Sequence, residues 1–120
     1  MEVNILILHN LSTDQAIADS IKPAYTFSRR LKGLMFTKQL DSGCGLHILP
    51  CQSVHTHFMR YPIDVVYVNQ DLVVVDIDEN LPPGKFGKRR RDARSVLELP
   101  TGTIATSDLQ IGHQLSFEKE

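Results

Sequence analysis

The chain has 120 residues, of which 42% are hydrophobic and 22% charged, with a formal net charge of −1. That length supports one domain, residues 1–120, whose core hides roughly two-thirds of the surface of the unfolded chain, so neither a metal nor a disulfide is required merely to fold. The composition argues against disorder and against a generally basic nucleic-acid binder.

The opening MEVNILILHN has no basic leader, and its apolar run from Ile5 to Leu8 is too short for a signal peptide or a membrane span. The expectation is a cytoplasmic protein without membrane association. In a reducing compartment the two cysteines, Cys44 and Cys51, are expected to be free thiols.

Val3 to Leu8, β-branched at alternate positions, reads as a strand covered on both faces. Ser12-Thr13-Asp14 reads as the cap of a short helix reaching Ile21, stopped by Pro23. A second helix is expected from the cap Thr26 to Gly33, with Phe27, Leu31 and Leu34 on one face and Arg29, Arg30 and Lys32 largely in solvent. Asp41-Ser42-Gly43 turns the chain into a strand over Leu46 to Leu49, and Val54 to Phe58 continues as an extended segment to the Tyr61-Pro62 turn. Ile63 to Val68 and Leu72 to Ile77 are a hairpin pair across Asn69-Gln70-Asp71. Leu81-Pro82-Pro83-Gly84 breaks the pattern. Val96 to Leu99 is a strand closed by Pro100-Thr101-Gly102, and Gln114 to Phe117 is the last. Many short strands and little helix give a mainly β fold: a single-domain β-sandwich or partly closed β-barrel with one or two short helices.

The chemistry gathers in Cys51 to Val68. On an extended segment His55 and His57 would face one way, roughly 6 to 7 Å apart, close enough to share an ion. A zinc or iron site needs a third protein ligand, with Asp64, His47, Cys44 and Cys51 available but at no familiar spacing. The resemblance to the His-x-His pattern of cupins is partial, because no glutamate follows at the required place. Metal binding by His55, His57 and Asp64 is therefore the lesser expectation, and no cofactor is assigned. Asp64 sits just past a turn, where a carboxylate either caps backbone N–H groups or projects into a cleft. Glu98, between apolar neighbours, belongs to a solvent face unless that face lines a cavity. Cys51 and His55 could form a thiol–imidazole nucleophile, but no oxyanion donor is visible.

Six basic residues and one acidic fall between Lys85 and Arg94. Such a run could dock an acidic partner, while its single aromatic, Phe86, argues against nucleic acid.

The ordered motifs Arg30-x-x-Gly33-Leu34-Met35, Gly43-x-Gly45-Leu46, His55-Thr56-x-x-Met59-Arg60-x-Pro62-Ile63-Asp64 and Leu97-Glu98-Leu99-Pro100-x-Gly102 together resemble the prokaryotic family called domain of unknown function number 192. The resemblance spans nearly the whole chain and implies a compact, mainly β domain with no assigned activity. Its implied signature positions are Arg30, Gly33, Leu34, Met35, His55, Thr56, Met59, Pro62, Asp64, Glu98 and Gly102. Many family members carry Trp-Met before Asn-Thr where this chain has His55-Thr56, which counts against a histidine chemistry common to the fold.

The leading expectation is a small-ligand-binding domain with a pocket near His55 and Asp64, rimmed by His55, Thr56, Met59, Asp64, Glu98 and Arg30. The alternatives are a metal-dependent or acid–base enzyme using His55, His57 and Asp64, and an interaction module using the loop from Lys85 to Arg94.

Overall fold

The computed structural model describes residues 4–119. Seven strands run in chain order as β1 (Leu6–Asn10), β2 (Gln15–Ala24), β3 (Cys44–Ile48), β4 (Ile63–Val68), β5 (Val74–Leu81), β6 (Ser95–Pro100) and β7 (Leu115–Lys119). Helix α1 (Phe27–Lys32) lies between β2 and β3, and α2 (Thr103–Ser107) between β6 and β7. The strands form one sheet in the order β5-β4-β6-β3-β2-β1-β7, antiparallel except where β2 meets β3. Its two edges approach each other at one end. Val73 bridges to Gln114, the Val74 N–H donates to His113 O, and the Leu115 N–H donates to Leu72 O. The fold is thus mainly β, a curled sheet that closes in part into a barrel.

The expected hairpin forms. Asn69 directs its turn, since its Oδ1 accepts from the N–H groups of Asp71 and Val73. Strand β5 starts later than the apolar pattern suggested because Leu72 takes a left-handed conformation in the turn, φ +61°. Every residue of β4 is buried, as its unbroken apolar run requires of a central strand.

The helix expected between Ser12 and Ile21 does not form; that region is the hairpin turn and strand β2. Held between β1 and β3, with bulges in its pairing to β1, this strand buries Ala18, Ile21 and Ala24, every third residue rather than every second. Helix α1 forms between the expected caps: Thr26 Oγ1 accepts from the Arg29 N–H (3.2 Å), and the Gly33 N–H donates to Arg29 O (2.9 Å). Its apolar face is not covered, with Phe27 73% and Leu31 58% exposed. Val54 to Phe58 is not a strand; it makes one isolated bridge, His55 to Phe86, and Phe58 turns the chain at φ +63°. Helix α2 has no counterpart among the expected elements. Val3, the expected start of the first strand, lies outside the described residues.

Side chains alternate across the sheet, so the core has two halves. On one face Val66 and Val68 of β4 and Leu97 and Leu99 of β6 pack with Leu8, Ile21, Ile104 and Leu115. On the other, Val65 and Tyr67 of β4 and Val96 of β6 pack with Leu46, Ile48, Val54 and Met59. Each such side chain contributes about 1.5–3 kcal/mol by leaving water. The register pairs Val65 with Glu98 and Asp64 with Leu99. Partners opposite one another share a face, so Glu98 and Asp64 stand on opposite faces of the sheet.

Candidate functional site

Glu98 points into the second of these faces. Its strand is central, with β3 on one side and β4 on the other, and only 3% of its surface is exposed. Gly33, just past the end of α1, lies over it, and the chain from Pro50 to His55 forms the opposite wall. The result is a pocket of about 120 Å³ whose polar lining includes Arg30, Lys32, Cys51, His55 and Glu98 and whose apolar lining includes Leu34 and Val54.

Five buried side-chain polar atoms among the described residues have no hydrogen-bond partner, and three of them belong to this pocket: Arg30 Nε, His55 Nδ1 and Glu98 Oε1. Buried polar groups are normally paired, because each unpaired one costs about 1–3 kcal/mol. Burial pushes the Glu98 carboxyl up to about 7, so it exchanges its proton near neutral pH. The Cys51 thiol is also raised, by burial first and by the Glu98 charge, with Arg30 opposing. Its Sγ donates to Ser53 O (2.9 Å), and no hydrogen bond joins it to His55 among the described residues. A raised thiol without a paired imidazole is a poor nucleophile.

Of the residues expected to rim the pocket, Arg30, His55 and Glu98 come together; Thr56, Met59 and Asp64 do not line it. Thr56 is fully buried and ties two loops, its Oγ1 donating to Pro82 O (2.6 Å) and accepting from the Lys85 N–H (2.8 Å). Met59 is a core side chain. Asp64 caps backbone: Oδ2 accepts from the Ile104 N–H (2.9 Å) and Oδ1 from the Asn80 N–H (2.8 Å). The pocket therefore lies beside His55 and Glu98, with Asp64 behind the sheet. Arg30 is not a solvent residue, as the helical pattern suggested, but half-buried with its Nη1 near Pro50 O (3.5 Å).

His55 and His57 do sit together, ring centroids 5.6 Å apart, with Phe86 4.4 Å from the His57 ring. Asp64 cannot join them across the sheet. Among the described residues no three His, Cys, Asp or Glu side chains are grouped to hold a metal ion. The basic run is partly consumed by the fold. Arg90 pairs with Asp76 and Asp78, both at 2.8 Å, and stacks over the Tyr67 ring at 4.1 Å. Sequence reasoning missed Lys32 and the Pro50 to Val54 wall, which carry no local signal; Gly33, Leu34 and Met35 were signature positions without a role.

Residues 9–117 match the DUF192 family, described as Uncharacterized ACR. The chain belongs to that family. A UPF0127 protein of Pyrococcus furiosus is 31% identical to this DUF192 chain over 115 residues, 92% of this chain and 97% of that one. Another, of Thermococcus sibiricus, is 29% identical over 119 residues, 95% of this chain and 76% of that one. A crystal structure of a protein of unknown function from Novosphingobium aromaticivorans has a TM-score of 0.80 at 22% identity, covering 95% of this chain and 84% of that one. That likeness shows the DUF192 fold alone. None of these names carries an activity, and no helix among the described residues is long and apolar enough to cross a membrane.

Proposed function

We propose that this DUF192 protein binds a small polar ligand in the pocket between α1 and the Pro50 to His55 segment. The observation that carries the reading is that three buried atoms without partners, Arg30 Nε, His55 Nδ1 and Glu98 Oε1, belong to residues that line one concavity. A ligand offering both donors and acceptors removes those deficits together, which an apolar molecule does not. Six positions of the family pattern, Arg30, Gly33, Leu34, Met35, His55 and Glu98, line that concavity. Two free thiols, Cys44 and Cys51, accord with a cytoplasmic setting.

The test is a panel of small acids, amides and amines followed by amide-resolved NMR on the wild-type protein. Binding should shift the resonances of Gly33, Leu34, Met35 and Val54 and be lost in Arg30→Met and His55→Ala variants that remain folded. A panel that shifts none of these resonances, or that shifts them equally in both variants, would sink the reading.

A further inference from the structure

We propose that the ligand of this pocket is a small monocarboxylic acid, held as an acid–carboxylate pair with Glu98 and by the guanidinium of Arg30. This rests on the reading of the pocket as a ligand site and names the ligand's class. The ion pairs among the described residues are His9 with Glu118 and Arg90 with Asp76 and Asp78; Glu98 belongs to none of them. Its free oxygen is nonetheless enclosed, so a partner must come from within the pocket.

The groups that face Glu98 decide the ligand's charge. Helix α1 contributes Arg30 and Lys32, and the Pro50 to His55 wall contributes Cys51 and His55. Tyr61 completes the set; burial first, and the Glu98 charge after it, keep its phenol protonated. Neighbouring strands present only Leu46 and Val65 opposite Glu98. With Glu98 protonated, the lining therefore holds two cations and no anion, which favours an anionic ligand over an amine. Leu34, Met35, Ile48 and Val54 supply an apolar wall for an alkyl group. The volume of about 120 Å³ far exceeds the roughly 10–15 Å³ that one water needs and falls below the roughly 300–1,000 Å³ of drug-sized sites, which selects a small acid.

Two carboxylates side by side do not both stay ionised. In the complex the Glu98 O–H donates to one ligand oxygen, and the Arg30 Nε–H donates to the ligand carboxylate. Where Glu98 starts ionised, one proton is taken from solvent for each molecule bound. Binding must then weaken as pH rises.

Propionate and its isostere propionamide are the probes, titrated at pH 6 and pH 8 and followed by NMR of the pocket residues. Because Glu98 titrates about 7, propionate binding to the wild type should weaken about tenfold between the two pH values. Glu98→Gln, which keeps a donor and cannot ionise, should bind propionate equally at both. A second readout uses the unmutated protein: the Glu98 carboxyl carbon resonance should titrate at higher pH with propionate present. Wild-type affinity independent of pH, an unmoved Glu98 midpoint, or tighter binding of propionamide overturns the carboxylic acid. If propionamide alone shifts the pocket resonances, the polar site stands and the acid falls; if neither probe does, both fall.

Discussion

A methyl group placed on Gly33 would stand 3.8 Å from Glu98 Oε1, the enclosed oxygen without a partner. That separation is ordinary contact, so sterics do not forbid it. The backbone does: Gly33 has φ +48° and ψ −126°, a combination side chains resist at a cost of about 1–3 kcal/mol. Gly33→Ala should lower stability by that amount in urea denaturation and place a methyl against the pocket floor. Unchanged stability would mean that the end of α1 relaxes freely.

Glu98 makes the fold sensitive to pH on its own account. Its folded carboxyl titrates about 7, above the ordinary value of 4.5, so the native state holds the proton more tightly than the unfolded chain. Its contribution is therefore full below pH 4.5 and is lost as pH rises towards 7, a change on the order of 3 kcal/mol. Denaturation of wild type and Glu98→Gln across pH 4.5 to 8 should show the difference moving in the variant's favour as pH rises. A constant difference would refute the raised carboxyl.

His47 acts in the opposite sense. Burial lowers its imidazole to about 4 while both ring nitrogens bond hydroxyls, Nδ1 to Tyr25 (2.8 Å) and Nε2 to Ser95 (2.9 Å). Hydroxyls both donate and accept, so they serve the neutral ring and the charged ring alike, and it is desolvation that opposes the charge. With the folded value below the unfolded 6.5, stability is full above pH 6.5 and lost as pH falls towards 4, again on the order of 3 kcal/mol. His47→Gln should be less stable than wild type at pH 7.5, with the gap narrowing by pH 4.5; calorimetric melts at the two pH values check it.

Arg90 is a structural residue inside a basic loop. Its guanidinium donates to Asp76 Oδ2 and Asp78 Oδ1 and to the Tyr67 hydroxyl, which itself donates to Asp78 Oδ2 (2.9 Å). Asp76 is 40% exposed, so part of the pairing is screened. Arg90→Ala should cost about 2 kcal/mol, and Arg90→Lys should recover less than half, since an ammonium cannot fork between two carboxylates. Equal stability of the lysine and wild-type proteins would show that charge alone matters.

Asp64 separates support from site. Removing its carboxylate strands the buried N–H of Ile104 and leaves that of the exposed Asn80 to water, so Asp64→Ala should cost about 1–3 kcal/mol. Ligand affinity per folded molecule should stay within twofold of wild type by NMR titration. A selective loss of affinity in a fully folded variant would return Asp64 to the site.

The sequence by itself determined the mainly β class, the β4–β5 hairpin, the caps of α1 and the pairing of His55 with His57 in space, because each depends on neighbours a few residues apart. Alternation of side chains along Ile63 to Val68 and Val96 to Leu99 was legible too, but not which face held a cavity. The cap residues Ser12-Thr13-Asp14 and the stop at Pro23 read as the limits of a helix, but the caps form the turn between β1 and β2, where Asp14 has φ +56°, and Pro23 lies within β2. Only the tertiary structure decided that Asp64 and Glu98 oppose one another through the sheet, for that follows from the register of β4 against β6, which runs from Ile63 with Pro100 to Val68 with Ser95, residues far apart in the chain. The same long-range pairing put Glu98 beneath Gly33 and turned an acidic residue in an apolar strand into the floor of a pocket.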